Sequence, residues 1–410
     1  MKSPELLCPA GDFERLQTAV RYGADAVYVG ATQYGMRAAP ANFTLDALAR
    51  AADYTHAHGV KLHLTVNTLP RCDETMALPD FLTQVGQTGV DALIVADLGV
   101  LTLARRLLPR IELHASTQTG IVNELTANAL YNLGVERVVL ARELTLDEIK
   151  TIRDRTPEAL ELEVFVHGAM CMSVSGRCVI SNYLTGRDAN RGECSQPCRW
   201  SYHLVEEKRP GIFLPVFEDQ HGSTILNAKD LCMIEHLKAL ANAGVASFKI
   251  EGRAKSPYYV GVVTNAYRAA LDAALRGAPA PEWTLRELQT VSHREYSTGF
   301  FFGRQPLQQS YYAGGYVQDW EVSAVVERCE NGRLYLIEKN RFAQGDSLEL
   351  LEPGRQPRQL AVADLRDENG EPLDAARHPH MRISVAFDGS ASAGAMLRRE
   401  KAAPQGGETI

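Results

Sequence analysis

Five times along this chain a helical pattern ends in glycine and a short apolar run follows at once. Gly23-Ala-Asp-Ala-Val27, Gly89-Val-Asp-Ala-Leu93, Gly134-Val-Glu-Arg-Val138 and Gly244-Val-Ala-Ser-Phe248 share this grammar, and His58-Gly59-Val60-Lys61-Leu62 is a looser copy. Glycine closes a helix in the left-handed conformation, so each copy reads as helix, cap, strand. The helices before the caps carry the stripe such a unit needs. Phe13, Leu16 and Val20 recur at helical spacing behind Asp12, a candidate N-cap. Thr145 and Glu148 have the spacing of a capping box that opens another helix.

Eight apolar runs read as strands: Leu6–Cys8, Ala26–Val29, Leu62–Val66, Leu93–Ala96, Ile111–Ala115, Arg137–Leu140, Glu163–Val166 and Phe248–Ile250. Their near-continuous apolar character suits parallel strands covered by helices. Eight such units in roughly 275 residues point to an α/β fold of the (β/α)8, TIM-like barrel type. A doubly wound open sheet is the alternative, but no G-x-G-x-x-G follows the first strand. At 410 residues the chain is long enough for this barrel and a second domain. After about residue 318 the texture changes to short alternating strands separated by turn residues, which predicts a small C-terminal β-barrel domain. The expected boundaries are a barrel over 1–277 with a cysteine-rich insertion at 168–226 after strand seven, a linker at 278–317, the β domain at 318–400 and a disordered tail at 401–410.

Barrel active sites collect at the C-terminal ends of the strands. Those ends carry Cys8-Pro9-Ala10-Gly11, Asn67, Asp97, His114 with Ser116 and Thr117, Arg142-Glu143, His167-Gly168 and Glu251-Gly252-Arg253. The insertion after strand seven holds four of the eight cysteines, Cys171, Cys178, Cys194 and Cys198, spaced C-x6-C-x15-C-x3-C. The N-terminus lacks an apolar signal segment and no apolar run reaches membrane-spanning length, so a cytoplasmic protein without a membrane partner is expected, with reduced thiols. Disulfides, structural zinc, an iron–sulfur cluster, a nucleophilic cysteine with His167 as base, and ordinary burial are the readings of the four thiols. Paired C-x2-C knuckles are absent, and irregular spacing fits a cluster better than zinc. A single nucleophile leaves three neighbouring thiols unexplained. Cys232 is read as lying at the start of a helix, packed between barrel and loop. The net charge of −7 argues against a surface basic all over, yet leaves room for a local RNA-binding face. Tyr34, Tyr183 and Trp200 are the aromatics read as candidates for stacking on an unpaired base.

The run from Glu163 through Val-Phe-Val-His-Gly-Ala-Met-Cys171 to Gly176-Arg-Cys178-Val-Ile-Ser181 resembles the signature of the family filed as peptidase U32. Glu5-Leu-Leu-Cys-Pro-Ala-Gly11, Gly23 to Gly30, Asn190-Arg-Gly-Glu-Cys194-Ser-Gln-Pro-Cys198-Arg-Trp200, Asn227-Ala-Lys-Asp230 and Phe248-Lys-Ile-Glu-Gly-Arg253 match it too. The likeness covers nearly the whole chain, and the last domain is similar to the second domain of translation elongation factors. The family's label implies a peptidase of collagenase type, but the chain has no H-E-x-x-H and no G-x-S-x-G. Its hydroxylation branches imply other activities: 5-hydroxyuridine formation at the wobble position of tRNA with prephenate, hydroxylation of a ribosomal RNA cytidine, and hydroxylation of the ubiquinone ring. The cysteine pattern and the single β domain look most like the tRNA branch. That likeness implies a 4Fe–4S cluster on Cys171, Cys178, Cys194 and Cys198, tRNA as partner, and room for a partner subunit. A ligand role for Cys232 in place of Cys198 is the alternative to that set. It implies prephenate as co-substrate, for whose carboxylates Arg37, Arg142, Arg187 and Lys255 are the candidate cations. His167, Glu251 and Arg253 are the candidate catalytic side chains.

Overall fold

The computed structural model describes residues 3–35, 42–170, 180–187, 193–197, 229–303 and 317–401, and short strand pairs between 204 and 224. Barrel strands β1 (Glu5–Pro9), β2 (Ala26–Gly30), β3 (Lys61–Val66), β4 (Ala92–Val95), β5 (Glu112–Ala115), β6 (Arg137–Val139) and β7 (Glu161–Ala169) lie parallel, neighbour to neighbour in chain order. The eighth barrel strand, Ser247–Ile250, pairs in parallel with both β7 and β1 and closes the barrel. Helices α1 (Phe13–Arg21), α2 (Leu45–Ala57), α3 (Leu78–Val85), α4 (Leu98–Leu107), α5 (Glu124–Asn132) and α6 (Leu146–Asp154) alternate with the strands, and the long helix Pro257–Leu275 follows the last.

The local grammar explains this order. All five of these glycines have positive φ, from +73° at Gly59 to +102° at Gly23; four directly follow a helix C-cap, and Gly89 ends the turn after α3, whose own cap is Gly86. Asp12 caps α1 by accepting from the Arg15 N–H. Thr145 and Glu148 form the reciprocal capping box of α6. Each helix then lays its stripe on the strands: Leu16, Ala19 and Val20 of α1 are buried, as are Leu48, Ala51 and Ala52 of α2. A fully buried leucine such as Leu16 contributes roughly 1.5–3 kcal/mol relative to an exposed one.

The segment read as a linker is partly structured. Helix Glu282–Gln289 follows the long helix, with the Tyr258 hydroxyl donating to Thr290 Oγ1 at 2.9 Å. Tyr296–Ser297 extends the barrel sheet by pairing with the short strand Asp230–Cys232, which runs antiparallel to the end of β7. Cys232 therefore sits on a strand, where sequence periodicity had placed a helix. The buried Asp230–Arg294 ion pair, 2.8 Å, holds this extension together.

The second domain is a seven-stranded antiparallel half-barrel built from Trp320–Glu330, Arg333–Glu338, Ser347–Leu351, Arg358–Ala361, Arg366–Asp367, Arg382–Ala386 and Met396–Glu400. Its strands alternate, so Leu334 and Leu336 face a core shared with Leu348, Leu350, Ile383 and Leu397. The barrel core continues into this domain through Leu351 and Met396. Fully buried Arg398 fastens the junction, donating to Glu287 at 2.5 Å, Glu349 at 2.9 Å and the Tyr258 hydroxyl at 3.1 Å.

Candidate functional site

The lumen of the barrel is charged at its N-terminal end. Arg137 bridges Glu5 at 2.6 Å, Glu161 at 2.7 Å and Glu163 at 3.2 Å, and Lys249 meets the other oxygen of Glu163 at 2.7 Å. Burial alone would raise the Glu163 carboxyl. The Lys249 and Arg137 cations outweigh it and hold the group at about 2. His63 and His114 stand edge to face beside this cluster, 4.9 Å apart, and burial pushes both well below the usual histidine range. Sequence reading took His114 as a strand-end residue and passed over Glu163, Lys249 and His63. Their signal was polar residues at alternate positions of otherwise apolar strands, the inward-facing parity of a barrel.

Above this plug lies the C-terminal mouth. Arg253 is 6% exposed and reaches across to β3, donating from Nη1 to Thr65 Oγ1 at 2.8 Å. Arg142 stacks its guanidinium over the Phe165 ring at 3.8 Å and donates to the Ala169 carbonyl at 2.6 Å. Its other arm lies 3.9 Å from Glu251, whose carboxylate is also 3.5 Å from the Tyr28 hydroxyl. Arg142, Glu251 and Arg253 are thus brought to one rim, Arg142 stacked on the Phe165 ring and Arg253 lying against Gly30 of β2. A guanidinium is a planar set of donors matched in shape to a carboxylate or phosphate. Lys255 turns elsewhere, donating to the Ser292 carbonyl at 3.1 Å over the Tyr259 ring. Arg187 is exposed at the end of a short helix, and Arg37 lies outside the described residues. Asp97 caps α4 through the Val100 N–H, and Asn67 donates to Gln118 at 2.8 Å, so both serve loop geometry. Tyr34 donates to the Glu74 carbonyl and packs on Phe81.

His167 is placed differently from its neighbours on the rim. The pairing of β7 with the eighth strand shifts register between Lys249, opposite Phe165, and Ile250, opposite His167. This bulge re-aims His167 toward the long helix. There its ring lies among Tyr259, Tyr267 and Tyr296, at 6.0, 5.3 and 5.4 Å between centroids, with Nδ1 3.3 Å from the Tyr267 hydroxyl. Burial lowers it to about 3, so the ring is neutral at physiological pH. A sealed neutral imidazole suits a packing role in the barrel wall better than the acid–base role read from sequence.

Of the cysteines, Cys8 is sealed at the end of β1, accepts from Thr264 Oγ1 at 3.3 Å, and is pushed up to about 12 by burial. Cys194 is an exposed thiol on segment 193–197. That segment is tied to helix Ile180–Thr185 by hydroxyl contacts of Ser195 with Ser181 and Thr185, both 2.9 Å. Cys171, Cys178, Cys198, Trp200 and the Tyr183 side chain lie outside the described residues. Cys232 is half-buried, 3.8 Å from the Tyr267 hydroxyl, and burial raises its thiol. No helix among the described residues is long and apolar enough to cross a membrane.

Comparison with known proteins places these features in a lineage. The chain is 35% identical over 408 residues to tRNA hydroxylation protein P1 of Bacillus subtilis, covering 98% of this chain and 96% of that one. It is 36% identical over 395 residues to tRNA hydroxylation protein P of Escherichia coli, covering 86% and 87%. A 23S rRNA 5-hydroxycytidine synthase of Escherichia coli is 43% identical over 269 residues, which are 66% of this chain and 39% of that protein. Residues 11–310 match peptidase family U32 and residues 318–398 match the U32 C-terminal domain, so the chain belongs to peptidase family U32.

Proposed function

We propose that this chain is an RNA-modifying hydroxylase whose substrate is tRNA, and that it forms 5-hydroxyuridine at the wobble position with prephenate as co-substrate. The observation that carries the RNA reading is likeness along the entire length, second domain included, to proteins named for tRNA hydroxylation. Likeness to the ribosomal RNA enzyme stops at two thirds of this chain, which favours tRNA over rRNA. In this reading Arg142 and Arg253 pair with the carboxylates of prephenate at the barrel mouth, where the Phe165 ring and β2 keep their guanidinium planes fixed. The target base unstacks to reach the same mouth, because a stacked base is inaccessible to enclosed side chains. Glu251 orients Arg142. Cys171, Cys178, Cys194 and Cys198 would hold an iron–sulfur cluster, which would supply one-electron chemistry when bound.

Peptide hydrolysis draws no support from the described residues. It needs an activated nucleophile beside a base. Cys8 is sealed with its thiol pushed up to about 12, and His167 is caged by tyrosines. The test is mass spectrometry of tRNA nucleosides from a strain lacking the gene. Loss of 5-hydroxyuridine and its derivatives, restored by the wild-type gene, is the expected result. Normal tRNA with loss of 5-hydroxycytidine from ribosomal RNA would move the assignment to the other substrate.

A further inference from the structure

Arg253 belongs to the loop after the eighth strand, yet its guanidinium ends at β3, having crossed the ends of β1 and β2. Gly11 makes room for its backbone and Gly30 for its guanidinium. A Cβ built on Gly11, just after β1, would lie 2.3 Å from the Arg253 carbonyl oxygen. A Cβ on Gly30, the last residue of β2, would lie 2.3 Å from Nη1 and 2.9 Å from Cζ. Gly30 is in regular parallel pairing with Thr65, and its φ lies outside the positive region. The backbone therefore places no demand for glycine there. Glycine weakens a strand unless something must approach the backbone closely, and here that something is the guanidinium. Its register partner, Thr65, supplies the acceptor at 2.8 Å. The Thr65 hydroxyl proton is committed to the Val29 carbonyl at 3.0 Å, so its lone pairs are what face Arg253.

We propose that Gly30 and Thr65, with Gly11 behind them, are positioning residues for Arg253: a cradle that fixes its guanidinium plane so that it presents paired donors to a small carboxylate at the barrel mouth. This rests on the reading of Arg253 as a carboxylate ligand given above. A long arginine side chain otherwise loses much rotamer freedom on binding. Holding it in place beforehand removes that loss from the binding step.

The purified full chain and its variants Thr65→Val, Thr65→Ser, Gly30→Ala and Arg253→Lys are titrated with prephenate by calorimetry, and their melting is recorded. Thr65→Val keeps the side-chain shape and removes the acceptor, and is expected to weaken binding about tenfold and to lower the melting temperature while the chain stays folded. Thr65→Ser restores the acceptor and is expected to bind as the wild type does. Gly30→Ala meets the far end of a flexible side chain, so it should displace the guanidinium, spare the fold, and weaken binding at least as much. Wild-type binding in Thr65→Val and Gly30→Ala with loss in Arg253→Lys overturns the cradle and leaves the carboxylate reading standing. Equal loss in Thr65→Ser and Thr65→Val overturns the hydrogen-bond role. Wild-type binding in Arg253→Lys, or none in the wild type, overturns the carboxylate reading and the cradle with it.

Discussion

Replacing His167 by Phe isolates the titration of one buried imidazole. Burial disfavours the charged ring and holds His167 at about 3 in the folded chain, against 6.5 for a free imidazole. Between those values the unfolded chain binds a proton that the folded chain does not. The stability tied to neutral His167 is therefore complete above pH 6.5 and is lost as the pH falls toward 3. The loss is about 1.4 kcal/mol for each pH unit below the free value, or ~2 kcal/mol at about pH 5. Phenylalanine keeps a ring between Tyr259, Tyr267 and Tyr296 and cannot take the proton. It forfeits the 3.3 Å contact with the Tyr267 hydroxyl, which still donates to the Val166 carbonyl at 2.7 Å. At about pH 7.5 the variant should lie within about 1 kcal/mol of the wild type. Urea unfolding followed by circular dichroism, at about pH 7.5 and about pH 5, measures the difference at each pH. The expected result is a shift of ~2 kcal/mol in favour of the variant at the lower pH. A difference that is the same at both pH values would refute the buried neutral histidine.

Arg398→Met should loosen the second domain, because it leaves Glu287 and Glu349 buried without their shared cation. A loss of about 3–5 kcal/mol is expected; differential scanning calorimetry should show the second domain melting apart from the barrel, and a single unshifted transition would contradict it. Anaerobically purified protein should carry about four irons and four sulfides per chain, and Cys194→Ala should lose them. Stoichiometric zinc without iron in the same material would remove the cluster from the proposal.

Much of the fold was legible because its signals are local. A glycine after an apolar stripe can close its helix without tertiary help: Gly23, Gly59, Gly134 and Gly244 directly follow their helix C-caps, and Gly89 closes the turn three residues after the C-cap of α3. Asp12 and the Thr145–Glu148 pair act within one turn of backbone and needed no tertiary knowledge. All eight strand positions were legible from apolar runs for the same reason. Cys232 was misread because an amphipathic stretch too short to show its period takes its conformation from the strand beside it, here the end of β7.

The site was legible only as a set of strand-end residues. Sequence by itself determined that Arg142, Glu251 and Arg253 fall at strand ends, and that four cysteines follow strand seven in the chain. It could not determine which of them meet. One residue of bulge in β7 turns His167 from the rim into the wall, and no period-two pattern contains that shift. The partners of Arg253 are 188 positions away at Thr65, and further at Gly30 and Gly11, and they meet it only because the eighth strand closes against the first. Local backbone preference decides helices, caps and strands. Barrel closure decides which side chains share a dielectric and a hydrogen bond, and those contacts set the chemistry of the mouth.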